Sequence, residues 1–179
     1  MDRLKLATVW LAGCSGCHMS FLDLDEWLLE LAQLAELVYS PVLDVKEFPE
    51  GVDVTLVEGA VANYENLEML RKIRSRTKVL VSFGDCAVTG NVTALRNPLG
   101  EAALVLKRSY VELADERPGE PADPVLPVLL DRVEPLHALV PVDYFMPGCP
   151  PSAREIRQVL EAFVAGREPV LEGRQLKFG

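Results

Sequence analysis

The sequence predicts an α/β protein of three layers, an open, mostly parallel sheet with helices on both faces. Short apolar strand-like runs alternate with stretches of helical spacing, the pattern of βαβ units. Apolar residues are 49% of the 179, enough to bury a sheet on both sides. No internal repeat, low-complexity run or boundary divides the chain, so 1–179 reads as a single domain.

The elements follow in order. Leu4 to Leu11 is apolar and loosely alternating, a buried strand. Ser20 to Val38 has helical spacing, with Leu24, Leu28, Leu31, Leu34 or Ala35, and Val38 on one face. Val52 to Val57 is a second strand. Asn66 to Arg76 is a helix with Leu67, Leu70 and Ile73 inward. Lys78 to Phe83, "KVLVSF", is a buried strand. Asn97 to Ala114 is expected to be partly helical, and "DERPGEPADP" at 115–124 is a polar loop. Pro127 and Pro135 limit Leu126–Leu139 to short helices at most. Val140 to Met146 closes the strands. Ser152 to Ala165 is the last helix: Ser152 and Glu155 form a capping box ahead of the stripe Ile156, Val159, Leu160 and Phe163.

The net charge of −9 excludes nonspecific nucleic-acid binding, and no basic stripe offsets it. "LKLATVWLAG" is too short for a membrane span, and no signal peptide or twin-arginine lead stands before it. The expected location is the cytoplasm. Four cysteines in a reducing compartment point to metal binding or redox chemistry rather than disulfides. The apolar content suits either a full core or a subunit that hides apolar surface against a partner.

Cys14 and Cys17 follow the first strand, Cys86 follows "VLVSFGD", and Cys149 follows "VDYFMPG". In a parallel sheet these carboxyl ends share one edge, where ligands of open α/β folds bind. Glu58 reaches the same rim. A dithiol enzyme needs only Cys14 and Cys17 and leaves the other two there by coincidence. Structural zinc more often takes two close pairs than one pair and two singles. A [4Fe–4S] cube takes four thiolates, one per iron. Gly13, Gly16, Gly84 and Gly148 stand close to the cysteines, where backbone can approach an inorganic core and aim N–H groups at sulfur. Pro150 and Pro151 stiffen the exit from Cys149. FMN is disfavoured, because the first loop carries cysteines instead of phosphate-binding hydroxyls. His18 is expected to donate to the cluster surroundings or touch a partner, not to ligate metal. Trp10 and Trp27 are core or interface residues, and His137 has no assigned role.

"WLAGCSGCHMS", "VEGAV", "FGDCAVTGN" and "VDYFMPGCPPSA" together resemble the small subunit of [NiFe] hydrogenases, over most of the chain. The resemblance implies a flavodoxin-like domain whose Cys14, Cys17, Cys86 and Cys149 ligate one [4Fe–4S] cluster, with Glu58 nearby. The Ni–Fe centre belongs to a large subunit. The chain ends soon after the last helix without a fifth cysteine and carries no leader, which resembles the cytoplasmic bidirectional, NAD(P)-coupled type, as does "GCHMS". That type implies diaphorase partners with FMN, further Fe–S clusters and the nicotinamide site, and no membrane. The alternative is the small subunit of an energy-converting, complex I-related hydrogenase or quinone-oxidoreductase-like complex. The complex I subunit itself has adjacent first ligands, unlike the spaced pair here. The implied job is electron relay. Glu58 is a candidate for a proton path, and equally for a hydrogen bond to backbone or partner. Classes set against the relay are a zinc-holding assembly subunit and a thiol oxidoreductase.

Overall fold

The computed structural model describes residues 3–116 and 118–178. The elements in chain order are β1 (Leu4–Trp10), α1 (Gly16–Leu22), α2 (Trp27–Leu34), β2 (Ala35–Tyr39), β3 (Val52–Glu58), β4 (Val61–Asn63), α3 (Tyr64–Arg76), β5 (Thr77–Phe83), α4 (Asp85–Thr89), α5 (Ala102–Lys107), β6 (Leu129–Glu134), β7 (Tyr144–Met146) and α6 (Ala153–Val164). Five strands pair in parallel in the order β2-β1-β3-β5-β7. That is the flavodoxin-like strand order, with β4 and β6 set apart as an antiparallel pair.

Strands buried on both faces read as continuous apolar runs, and here each face has its own core. On one side Leu6, Val54, Leu56, Val81 and Phe83 pack on Phe21, Trp27, Ile156 and Leu160 of α1, α2 and α6. On the other, Val9, Val57 and Leu80 meet Leu70 and Ile73 of α3, with Leu136. The capping box of α6 forms as expected, with the Ser152 side chain accepting from Glu155 N–H. Ile156, Val159, Leu160 and Phe163 are all buried.

Three expectations need correction. The helix expected over Ser20–Val38 is two short helices followed by β2. Asp25 takes a left-handed φ of 50° between the helices. Ala35–Leu37 then pair with Leu4–Leu6, so hydrogen bonds to the sheet edge override the helical spacing. Leu126–Leu139 is not limited to short helices: it holds β6, then a 3₁₀ turn at Leu136–Ala138. Side chains fix β6 where propensity does not. Arg96 donates to the carbonyls of Leu130 and Asp131, and Asn97 exchanges two hydrogen bonds with the Val133 backbone. The closing strand is only Tyr144–Met146, because Asp143 is taken up at the end of the sheet. Its carboxylate accepts from Leu80 N–H and from Arg74. Burial pushes the Asp143 carboxyl up, and these two donors outweigh it, so its pKa lies below the ordinary value. Beyond these, α4 is a five-residue helix that sequence spacing does not reveal.

Register decides where the loops emerge. Trp10 pairs with Glu58, Glu58 with Phe83, and Phe83 with Met146, one row across four strands. Every chain segment leaving that row starts from the same level at the carboxyl edge.

Candidate metal centre

Three loops leave that row and carry the cysteines. The first runs from Leu11 to Ser15. It is tied to the β3 exit by Leu11 N–H to Glu58 O, and by Ala12 and Ala60, which exchange hydrogen bonds. Ser15 takes a φ of 66° and starts α1. The second enters α4 through Gly84. The third is Pro147–Pro151. The last two loops are laced together: Gly84 N–H donates to Met146 O at 2.8 Å, Asp85 N–H to Gly148 O at 2.9 Å, and Gly148 N–H to Asp85 Oδ1 at 2.6 Å.

Cys14, Cys17, Cys86 and Cys149 all line one cavity of about 60 Å³, with Gly16, Glu58, Asp85, Gly148 and Pro150. All four thiols are free. Cys17 and Cys86 are buried at the floor, and Cys14 and Cys149 are exposed at the mouth. Burial pushes the Cys17 thiol far above its ordinary pKa, and the charges of Glu58, Cys86, Cys14 and Cys149 add to it. Burial likewise raises Cys86, opposed by hydrogen bonds from the Thr93 hydroxyl and amide. A cationic metal core reverses these shifts, since metal binding displaces the protons.

Four thiols around one cavity are the donor set that a [4Fe–4S] core takes. Gly84, having no Cβ, lets the exit of β5 approach the Cys17 sulfur closely. A Cβ on Gly84, whose φ is 84°, would lie 2.2 Å from Cys17 Sγ. The lining is almost wholly apolar, the dry setting that strengthens every hydrogen bond to sulfur.

The expected glycine donors are realised at one position. Gly16 N–H points at Cys14 Sγ, 3.4 Å away. The N–H groups of Gly84 and Gly148 bond to Met146 and Asp85 instead, holding the loops together. Gly13 lies against Gly59 and Glu58. Pro150 lines the cavity without a donor. Asn91 and Thr93 went unassigned on sequence. Asn91 Nδ2 donates to Cys149 Sγ at 3.5 Å, and the Thr93 hydroxyl donates to Ala12 O in the first loop. Both lie in or just beyond the "FGDCAVTGN" motif, and a side-chain amide after the Gly90 cap was the available signal.

Glu58 is 1% exposed and anchors the first loop. Its carboxylate accepts from Cys17 N–H at 3.3 Å and His18 N–H at 2.9 Å, and bonds His18 Nδ1 at 2.5 Å. α1 thus begins with two free N–H groups of its first turn satisfied by a side chain from β3. His18 is buried, with Nε2 sealed away from solvent and lacking a hydrogen-bond partner among the described residues. Trp10 is half exposed, its indole N–H donating to Gly13 O. Trp27 is buried beneath the Arg157 guanidinium. His137 packs edge-on to Phe145, away from the cysteines' cavity.

Residues 14–163 match the family model described as NADH ubiquinone oxidoreductase, 20 Kd subunit. The chain belongs to that family. Within the 20 Kd subunit family its similarity is to hydrogenase subunits. It is 42% identical over 169 residues to the NAD-reducing hydrogenase HoxS subunit delta of Cupriavidus necator, covering 92% of this chain and 80% of that protein. It is 38% identical to a subunit of the F420-non-reducing hydrogenase of Methanocaldococcus jannaschii, covering 94% of this chain but only 58% of that longer protein. A chain in a solved NAD+-reducing [NiFe]-hydrogenase in the H2-reduced state superposes with a TM-score of 0.94 at 41% identity, covering 99% of this chain and all of that one. The [NiFeSe]-hydrogenase of Dm. baculatum, at TM-score 0.58 and 16% identity, shares the fold. The motif resemblance to a [NiFe] hydrogenase small subunit agrees with these matches. Among the described residues no helix is long and apolar enough to cross a membrane.

Proposed function

We propose that this chain is the electron-transfer small subunit of an NAD(P)-coupled [NiFe] hydrogenase of the cytoplasm. Cys14, Cys17, Cys86 and Cys149 hold one [4Fe–4S] cluster in the domain formed by 1–179. The observation that carries this is the meeting of four thiols from three separate loops at one apolar cavity. The cluster supplies one-electron storage between the Ni–Fe site of a large subunit and a diaphorase bearing FMN, further Fe–S clusters and the NAD(P) site. The chain's own residues do the rest. Four thiolates grip the core, the loops laced through Asp85 and Gly148 fix its position, and the buried floor excludes water. Exposed Trp10 and Met19, which flank the first cysteine pair along the chain, offer apolar surface for the large subunit. The high identity to a subunit of an NAD-reducing hydrogenase supports the NAD(P)-coupled type over an energy-converting one.

Chain purified anaerobically with its partners should contain about four iron and four acid-labile sulfide for this chain's share, the stoichiometry of a four-thiolate cube. Counting requires the chain to be separated anaerobically from the partners' clusters. One zinc with no sulfide overturns the proposal in favour of an assembly subunit. The proton path belongs to the same proposal, at Glu58 Oε2, the oxygen shared with His18. Glu58→Gln keeps an accepting oxygen for the loop but cannot carry a proton. It should lower hydrogen turnover severalfold and shift its pH profile with the cluster intact. Unchanged turnover and profile leave Glu58 as an anchor alone.

A further inference from the structure

The segment Gly90–Thr93 touches all three cysteine loops. Gly90 ends α4 in a left-handed conformation, and Asn91 continues with a φ of 33°, which asparagine tolerates better than most residues. The turn swings the Asn91 amide over the mouth, where Nδ2 donates to Cys149 Sγ at 3.5 Å. Two residues on, the Thr93 hydroxyl donates to Ala12 O at 3.2 Å, in the loop that leads to Cys14. The segment is held from behind by Asn91 N–H to Thr89 Oγ1 and Ala94 N–H to Gly90 O.

We propose that Asn91 is a positioning residue that sets the reduction potential of the cluster through Cys149. This rests on the proposed function above. A donor to a ligating sulfur stabilises the electron-richer state, so this hydrogen bond raises the midpoint. The donor is a side-chain amide, which substitution removes.

The test is a redox titration of the intact hydrogenase complex, following the electron paramagnetic resonance signal of this cluster in Asn91→Gly and Asn91→Asp. Both residues tolerate the Asn91 backbone. Asn91→Gly removes the donor, and Asn91→Asp replaces it with an anion. The midpoint should fall in the order wild type, Asn91→Gly, Asn91→Asp, with iron and sulfide unchanged. For Asn91→Asp the oxidised-to-reduced ratio at the wild-type midpoint should rise on the order of tenfold, about 59 mV for one electron. Should Asn91→Asp lose its cluster, Asn91→Gly alone decides. Wild-type midpoints in a variant with full iron and sulfide overturn the inference while leaving the relay standing. Absence of iron and sulfide from the wild-type chain defeats the relay itself.

Discussion

Cys86→Ser and Cys149→Ser, each made singly, should strip most of the iron and acid-labile sulfide from this chain when it is purified anaerobically. The two cysteines lie on different loops, one at the floor of the cavity and one at its mouth, yet both border the same space. A four-thiolate core loses one iron's anchor in either variant, and serine offers a harder oxygen ligand in place of thiolate. The floor substitution should be the more severe. Cys86 is buried, so no water or partner side chain can enter to replace its sulfur. Folding should survive, since cysteine to serine changes little volume and α4 keeps its place through the Asp85 and Gly148 hydrogen bonds. Circular dichroism beside the iron and sulfide assay separates cluster loss from unfolding. A thiol oxidoreductase working through Cys14 and Cys17 predicts the reverse, full activity in both variants. Wild-type iron and sulfide in both variants would refute the four-cysteine site.

Gly84→Ala should be nearly as damaging without touching a ligand. Its Cβ would lie 2.2 Å from Cys17 Sγ, well inside van der Waals contact. The backbone there has a φ of 84° and a ψ of 163°, which costs an L side chain about 1–3 kcal/mol before any clash. Relief must come by moving Cys17 or the β5 exit. Cys17 is fixed by Glu58 through its amide, and the β5 exit by Met146 O, so neither yields easily. The expected result is a several-fold drop in iron and sulfide and a lowered Tm. Gly51→Ala is the control: its φ is 69°, but nothing lies within 4 Å of the added methyl. It should cost about 1–2 kcal/mol from backbone strain and keep its cluster. Equal iron content in the two variants would show that the close approach at Gly84 has no bearing on the metal centre.

The legibility of the chain follows a physical divide. Apolar runs long enough to be buried on both faces, such as Lys78–Phe83, are visible locally because their composition alone demands a sheet interior. So is α6, where capping box and apolar stripe agree. Ala35–Tyr39 is different. Its residues serve a helix face or an edge strand equally well, and only the exposed hydrogen-bonding edge of β1 selects the strand. β6 is similar, since it forms by pairing with β4 and is held by Arg96 and Asn97 from a distant segment. At the candidate metal centre, the meeting of the four cysteines at one edge was legible through their type and their positions after strands. Their glycine neighbours were assigned a common task, donation to sulfur, that only Gly16 performs. The role of Asn91 depends on where a side-chain amide swings after a left-handed turn, which no local pattern states.

By itself the sequence determined the α/β class, the identity of the four thiols and the edge at which they gather, because strand periodicity and residue type are local properties. Only the tertiary structure decided that Glu58 clamps the first loop, that Asp85 and Gly148 lace the other two, and that Asn91 reaches the Cys149 sulfur. Those contacts join residues tens of positions apart, and their distances follow from strand register and loop packing rather than from any spacing along the chain.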